Sequence, residues 1–432
     1  MNDHIRPLAI AALLAISGLV TTPSHAGESS RILHHEPLHL SRSITDNGTL
    51  RVSFDAFGQH FDLELVENRR ISRLRRHSSI SLLRGELTGR AGSWVRLSRR
   101  GNRWSGLIFD GDTLFGIEPR ATARQRLQHP DTDPTTANIV FRMSDLIMPA
   151  EGLSCALDPQ VLEVTGDQAI GLLENEQPIT LEAAGATRRL SVDVVADYEF
   201  STTWGAGAEA EILSRLNMVD GIFSDQLGID VTVQDLNIFD VTDDPFTKFD
   251  ASALLDEVSN YRLARVVSYG PTHLMTGRDL TGTTRGIAYL GAACNLSYGA
   301  GLSQQVADPW ISSLTTAHEL GHNLGAWHDN EASSFPGQTN PCEFEQPGFL
   351  MEATINGNDQ FSPCSINTIE AWAAGHPSCV VTTGAAPQNS DSGGGSAFGL
   401  PGILLLLALA GRRLKSQPQK RLQPRSTSTA AA

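Results

Sequence analysis

Residues 317–329 read AHELGHNLGAWHD. His318 and His322 stand four apart, Glu319 follows the first, and His328 comes six residues after the second, with Gly325 between. The 432-residue chain has only 13 histidines, so three within eleven positions need a physical reason. On a helix, residues four apart share a face, so His318 and His322 can aim ring nitrogens at one point. A residue six positions further on faces elsewhere. Gly325 allows the chain to turn back and deliver His328.

The surroundings fit a helix that stops there. Asp308-Pro309 reads as an N-cap and first helical position, WISSLTTAHELGHNL as the body, and Gly325 as the terminator. Three neutral imidazoles suit Zn²⁺ and leave a fourth position for water, as catalytic zinc sites do. Zinc lowers the pKa of such a water from roughly 15.7 to about 7. Glu319, beside the first ligand, can take the water's proton and pass it to a leaving amine. A bare His-Glu-x-x-His also occurs on solvated helices. The extended pattern, with a glycine and a third histidine at fixed offsets, is far more specific for peptide hydrolysis.

HELGHNLGAWHD resembles the zinc signature of the metzincin peptidases, and Asp329 directly after the third histidine resembles the reprolysin/adamalysin branch. Met351 in GFLMEAT stands where that family places its Met-turn, and FSPCS (361–365) is similar to the branch's next landmark. The chain departs from the family at Gly348, Phe349 and Leu350, where a cysteine is usual. Upstream, FDAFGQHFDLELVEN and GSWVRLSRRGNRWSGLIFDGDTLFGIEP are similar to the β-rich propeptides of the same group, and Arg188-Arg189 is similar in position to a maturation site. The resemblance implies an α/β (α+β) catalytic domain with a mixed twisted sheet and an active-site helix, preceded by a β-rich propeptide that inhibits it. It implies one catalytic Zn²⁺ and protein or peptide substrates, and leaves calcium open. It implies that TRGIAYLGAAC is the edge strand above the active-site helix, where a substrate adds in extended form along Gly286, Ile287, Ala288, Tyr289, Leu290 and Gly291. It implies disulfides Cys294–Cys379 and Cys342–Cys364. The remaining Cys155, in EGLSCALDP, could serve as a switch thiol on the zinc; a free or intermolecular thiol is the alternative.

The rest of the chain sets the context. The first 26 residues have one arginine, an apolar run from Leu8 to Val20 and a Ser24-His25-Ala26 exit, and read as a secretory signal. Export makes the five cysteines candidates for disulfides. From Leu190 to Ser390 there are 25 acidic against 6 basic residues, a net of −19, whereas Gly27 to Arg189 is near balance with 21 against 20. Eleven arginines fall between Arg69 and Arg103. The acidic part argues against nucleic acid as a partner, and the arginine-rich part could dock on it.

Composition, with what the resemblance implies for residues 27–381, divides the chain into a signal (1–26), a β-rich propeptide with linker (27–189), a catalytic domain (190–381), a Gly/Ser linker (382–396), a short apolar segment (397–411) and a basic tail (412–432). Within the propeptide, alternating apolar residues from Leu50 to Pro119 predict short strands, and ATARQRLQHPDTDPTTAN predicts a linker. Beyond it, Leu190–Val195, IDVTVQDLNIF and TRGIAYLGAAC predict strands, with helices in AEAEILSRLNMVDGIF and DASALLDEVSNYRLARV. The 15 residues Ala397 to Gly411 reach only about 22 Å as a helix, against a hydrocarbon core of about 30 Å. Gly393–Gly395, that segment and Arg412-Arg413 together resemble the GlyGly-CTERM sorting signal of Gram-negative bacteria, which implies processing by a rhombosortase-type protease and a cell-surface or secreted product. A plain tail anchor is the alternative. Two other readings of the main domain stand beside the reprolysin one: a surface adhesion module that keeps a zinc fold without using it, and an astacin-like or serralysin-like peptidase.

Overall fold

The alternation between Leu50 and Pro119 becomes antiparallel sheet. Strands Leu50–Ala56 and Gln59–Glu67 pair across a two-residue turn, Phe57-Gly58, and bury every second residue. In the computed structural model, which describes residues 29–45, 48–72, 79–129, 135–149, 153–158, 187–265, 270–306 and 308–383, these strands belong to a nine-stranded antiparallel sheet. Its spatial order is Glu36–Pro37, Asn138–Arg142, Leu114–Pro119, Arg103–Phe109, Trp94–Arg100, Ser81–Leu87, Gln59–Glu67, Leu50–Ala56 and Ser41–Ile44. One face carries its own core of Val52, Phe61, Leu63, Val95, Leu97 and Phe115. The other face, with Leu82, Trp94, Leu107 and Phe141, joins the core of the second half.

That second half is a mixed sheet ordered Ser154–Asp158, Thr284–Tyr289, Ala300–Gln304, Thr272–Thr276, Thr187–Ala196 and Ile229–Ile238, with Val380–Thr383 added to the start of Thr187–Ala196. Pairing is parallel except between Thr284–Tyr289 and Ala300–Gln304, and between Thr187–Ala196 and Val380–Thr383. Helices Ala208–Gln226 and Pro309–Asn323 pack together in one core. Helix Ala251–Arg265 packs into a separate one with Leu274, Ile287, Tyr289 and Leu302. This is the expected mixed α/β architecture with a helix under the edge of the sheet. The strands Thr272–Thr276 and Ala300–Gln304 were not predicted: both are buried along their whole length, and THLMT and AGLSQ have neither alternation nor a β-branched run to mark them.

Helix Ala208–Gln226 is buried nearly all round from Ala208 to Phe223, because it lies between the two sheets. Its polar residues answer groups of the first sheet. Asn217 donates to the carbonyls of Leu83 and Leu97, and Asp220 accepts from Arg96 Nε and Asn68 Nδ2, both at 2.9 Å. Arg70 reaches Asp230 at 2.8 Å. The arginine-rich segment therefore docks on the acidic one, as the charge split suggested.

Two expectations are corrected. Residues 121–138 are not a simple linker: they contain the end of a helical turn, Arg120–Ala123, and Arg126, which is buried and pairs with both Glu118 and Asp308. Asp308 does occupy the N-cap position with Pro309 following, but its side chain makes no capping bond. It faces Arg126 and accepts from the Ser30 amide at 2.8 Å, and burial pushes its carboxyl up to about 6 against the pull of Arg126. Arg188 and Arg189 lie inside strand Thr187–Ala196, in register with Ile229 and Asp230 on one side and with Thr382 and Val381 on the other. The expected signal, the Gly393–Gly395 run, the apolar segment and the basic tail fall outside the described residues. Among the described residues no helix is long and apolar enough to cross a membrane.

Candidate metal centre and its cleft

His318 and His322 are fully buried on helix Pro309–Asn323. The helix ends there, Gly325 adopts φ 92°, and the chain folds back to bring in His328, which is 5 % exposed. The three rings stand 4.4, 4.8 and 5.4 Å apart between centroids, and one nitrogen from each lies within 4.8 Å of the others. All three Nε2 atoms are buried without a hydrogen-bond partner, whereas all three Nδ1 atoms are taken. His318 Nδ1 bonds the Leu350 carbonyl and His322 Nδ1 the Ala326 carbonyl, each at 2.7 Å. A carbonyl only accepts, so Nδ1 carries the proton on both rings and Nε2 keeps its lone pair. Burial drives His318 down to about 3 and His322 well below its ordinary value, so both stay neutral, the form that binds metal. Three orphaned nitrogens converging on one point fit a tetrahedral zinc site with an open position.

Glu319 is also fully buried, with the Cys155 thiol beside its carboxylate. Burial pushes its carboxyl well above the usual range. It lies against strand Thr284–Tyr289, where a Cβ on Gly286 would come 2.8 Å from Glu319 Cδ. Gly286 therefore makes room for the carboxylate.

Met351 is fully buried beneath the helix. A Cβ at Gly321 would stand 2.8 Å from its sulfur, so the glycine in HELGH admits the methionine. The same turn is tied to two ligand positions: Leu350 accepts from His318, and the Met351 carbonyl accepts from the Asp329 amide at 2.8 Å. Asp329 Oδ1 accepts from the hydroxyls of Ser362 and Ser365 at 2.7 and 3.0 Å, and Ser362 caps helix Pro363–Gly375. FSPCS is thus the anchor for the residue after the third histidine. The disulfides join Cys294 to Cys379 and Cys342 to Cys364, the pairing that the resemblance implied.

The cleft is not open. Strand Ser154–Asp158 pairs in parallel with Thr284–Tyr289, placing Cys155 beside Gly286, Ala156 beside Ile287 and Leu157 beside Ala288. On its other side, Cys155 donates to the Ala353 carbonyl at 2.9 Å and Leu153 accepts from Ile355 at 2.7 Å. The Cys155 sulfur falls in one cluster with a His318 nitrogen and a Glu319 oxygen. Burial first, and then the charge of Glu319, push its thiol well above the ordinary value. The expected substrate edge is covered in this chain. Gly286, Ile287, Ala288 and Tyr289 form the edge strand of the main sheet, but the chain's own segment occupies it. Leu290 and Gly291 lie beyond the strand, where the Gly291 amide donates to the His322 carbonyl at 2.8 Å and its carbonyl accepts from Trp372 Nε1.

Sequence reading missed the reason for Gly286, the ties to Leu350 and Ala326, the Glu331 carboxylate on His328 Nδ1, the Asn340 amide that donates to the His328 carbonyl, and the Arg126–Asp308 pair at the start of the helix. Of these, only a carboxylate three residues after a ligand histidine has a local signal.

Comparison with known proteins bears on this segment. Residues 186–362 match the Reprolysin_5 model, metallo-peptidase family M12. The matched stretch contains the three histidines, Glu319, the edge strand and Met351. Over 173 residues the chain is 31 % identical to snake venom metalloproteinase H5 of Deinagkistrodon acutus, covering 38 % of this chain and 40 % of that one. It is 26 % identical over 199 residues to acutolysin-C of the same organism, covering 44 % and 46 %. The chain therefore spans less than half the length of these relatives.

Proposed function

We propose that the chain is an exported zinc-dependent endopeptidase of the reprolysin type, made in a latent form. The observation that carries the reading is the convergence of three buried, unpartnered Nε2 atoms beside a buried carboxylate. His318, His322 and His328 would hold the ion. Bound there, zinc supplies Lewis acidity, polarising a peptide carbonyl and making water acidic enough to attack it near neutral pH. Glu319 takes the proton from the attacking water and delivers it to the departing amine, so the bond breaks without a charged leaving group. The Leu350 carbonyl fixes the His318 ring from below, and Met351 packs under Gly321 between the two helix ligands. The edge strand 284–289 receives the substrate backbone once strand 154–158 has left it.

Latency follows from that occupation. Residues 153–158 fill the cleft with backbone bonds on both sides, and the Cys155 sulfur, grouped with a His318 nitrogen and a Glu319 oxygen, is a candidate fourth ligand. Processing near Arg188-Arg189, removal of the tail by a rhombosortase-type protease and a cell-surface or secreted destination complete the proposal and rest on sequence. An adhesion module has no use for the intact Glu319, which favours an enzyme.

The test is a protease assay on an unfolded protein with the processed enzyme. Parent activity should vanish with a chelator and return with zinc. Glu319→Ala should keep about one zinc per chain yet lose turnover by at least 10²-fold, the lower range for a positioned general base. Parent-like cleavage by Glu319→Ala would refute the general-base role.

A further inference from the structure

The three histidines are not held alike. Backbone carbonyls at the helix end and in the turn below fix His318 and His322, but His328 lies in an irregular loop and its Nδ1 meets a side chain, Glu331 Oε2, at 2.9 Å. The ring forms part of the wall of a cavity of about 240 Å³, together with Trp327, Glu331 and Phe335. Asn340 clamps the loop: its amide donates to the carbonyls of His328 at 2.6 Å and Glu331 at 2.7 Å, and its oxygen accepts from the Cys342 amide at 2.8 Å. Asn330 takes up the turn between them at φ 58°. The backbone at position 331 is thereby fixed, and its carboxylate reaches back to the ring.

We infer that Glu331 is a positioning residue for the metal centre: its carboxylate holds the His328 ring with Nδ1 protonated and Nε2 turned toward those of His318 and His322. The inference rests on the zinc reading above. A carboxylate behind a ligand imidazole fixes its tautomer and orientation, and losing such a partner typically weakens metal binding by about 10–100-fold. Glu331 is half-exposed at its side chain, so this is a matter of hydrogen-bond geometry more than of charge. The Asn340 clamp explains why the geometry survives on a loop.

The experiment measures the zinc dissociation constant of the full chain by competition with a chromophoric chelator, alongside the melting temperature of the metal-free protein. Glu331→Ala should raise the constant about 10–100-fold, while leaving the metal-free melt unchanged. Glu331→Gln, which keeps an oxygen acceptor at the same reach, should recover most of the loss. A parental constant in Glu331→Ala would overturn the inference and leave the zinc reading intact. So would a weakened constant matched by an equal loss of metal-free stability, since that reports loop unfolding. A parent that binds no zinc would instead refute the proposed function.

Discussion

A side chain at position 286 would enter the Glu319 carboxylate, because the strand passes so close over the helix that no depth is left for a Cβ. Gly286→Ala should therefore displace Glu319, the proposed general base, without touching a proposed ligand. Zinc content should stay at the parent value while kcat/KM falls about 10²-fold, the scale on which a displacement of about 1 Å acts. Metal analysis beside peptide kinetics checks this; a parental rate would mean that the carboxylate has freedom to move aside. Gly321 answers to the same logic from below, where Met351 fills the space its side chain would take. At this scale the meeting of the three histidines beside Glu319 was legible, since residue type and spacing along one helix carry most of the geometry. The glycine at 286 was not, because its reason lies 33 positions away in sequence and appears only when strand and helix meet.

Among the elements, strand 154–158 is the one that covers strand 284–289. It contributes a backbone ladder and a thiol, and these are separable. Cys155→Ala removes the sulfur while the bonds from Ser154 to Thr283, from Cys155 to Ala353 and from Ile355 to Leu153 remain. The uncleaved variant should gain several-fold in activity on a short peptide over the uncleaved parent, yet stay below the processed enzyme, because the edge is still filled. Unchanged latency would assign the block to the ladder alone. The sequence offered Cys155 as the cysteine left over from the two bridges, a candidate switch thiol or else a free or intermolecular one. Its placement depends on residues 153–158 joining a sheet whose other strands begin at residue 187, a pairing that no local pattern announces. Buried strands of small residues, such as Ala300–Gln304, escaped for a related reason: period-two alternation vanishes where both faces are covered.

For the whole molecule, the uneven charge along the chain becomes an interface. Arg96 and Asp220 are almost completely buried between the nine-stranded sheet and helix 208–226, with Asn68, Arg70 and Asn217 completing the network. Composition showed that opposite charges were available; which pairs form is set by the two surfaces fitting together. Cutting the chain between residues 158 and 187 leaves this network whole, so the two parts should stay associated, and with them strand 154–158 in the cleft. Arg96→Ala leaves Asp220 buried with one partner fewer. Truncating one side of such a pair costs about 2–5 kcal/mol, which corresponds to roughly 30-fold to several-thousand-fold weaker association. The nicked parent should therefore run as one species in size-exclusion chromatography at low micromolar concentration, and nicked Arg96→Ala should separate and show peptidase activity at the same dilution. Co-elution of the two halves in the variant at parental strength would mean that apolar contacts around Trp94 and Gly221, not the arginine network, hold the inhibitory part in place.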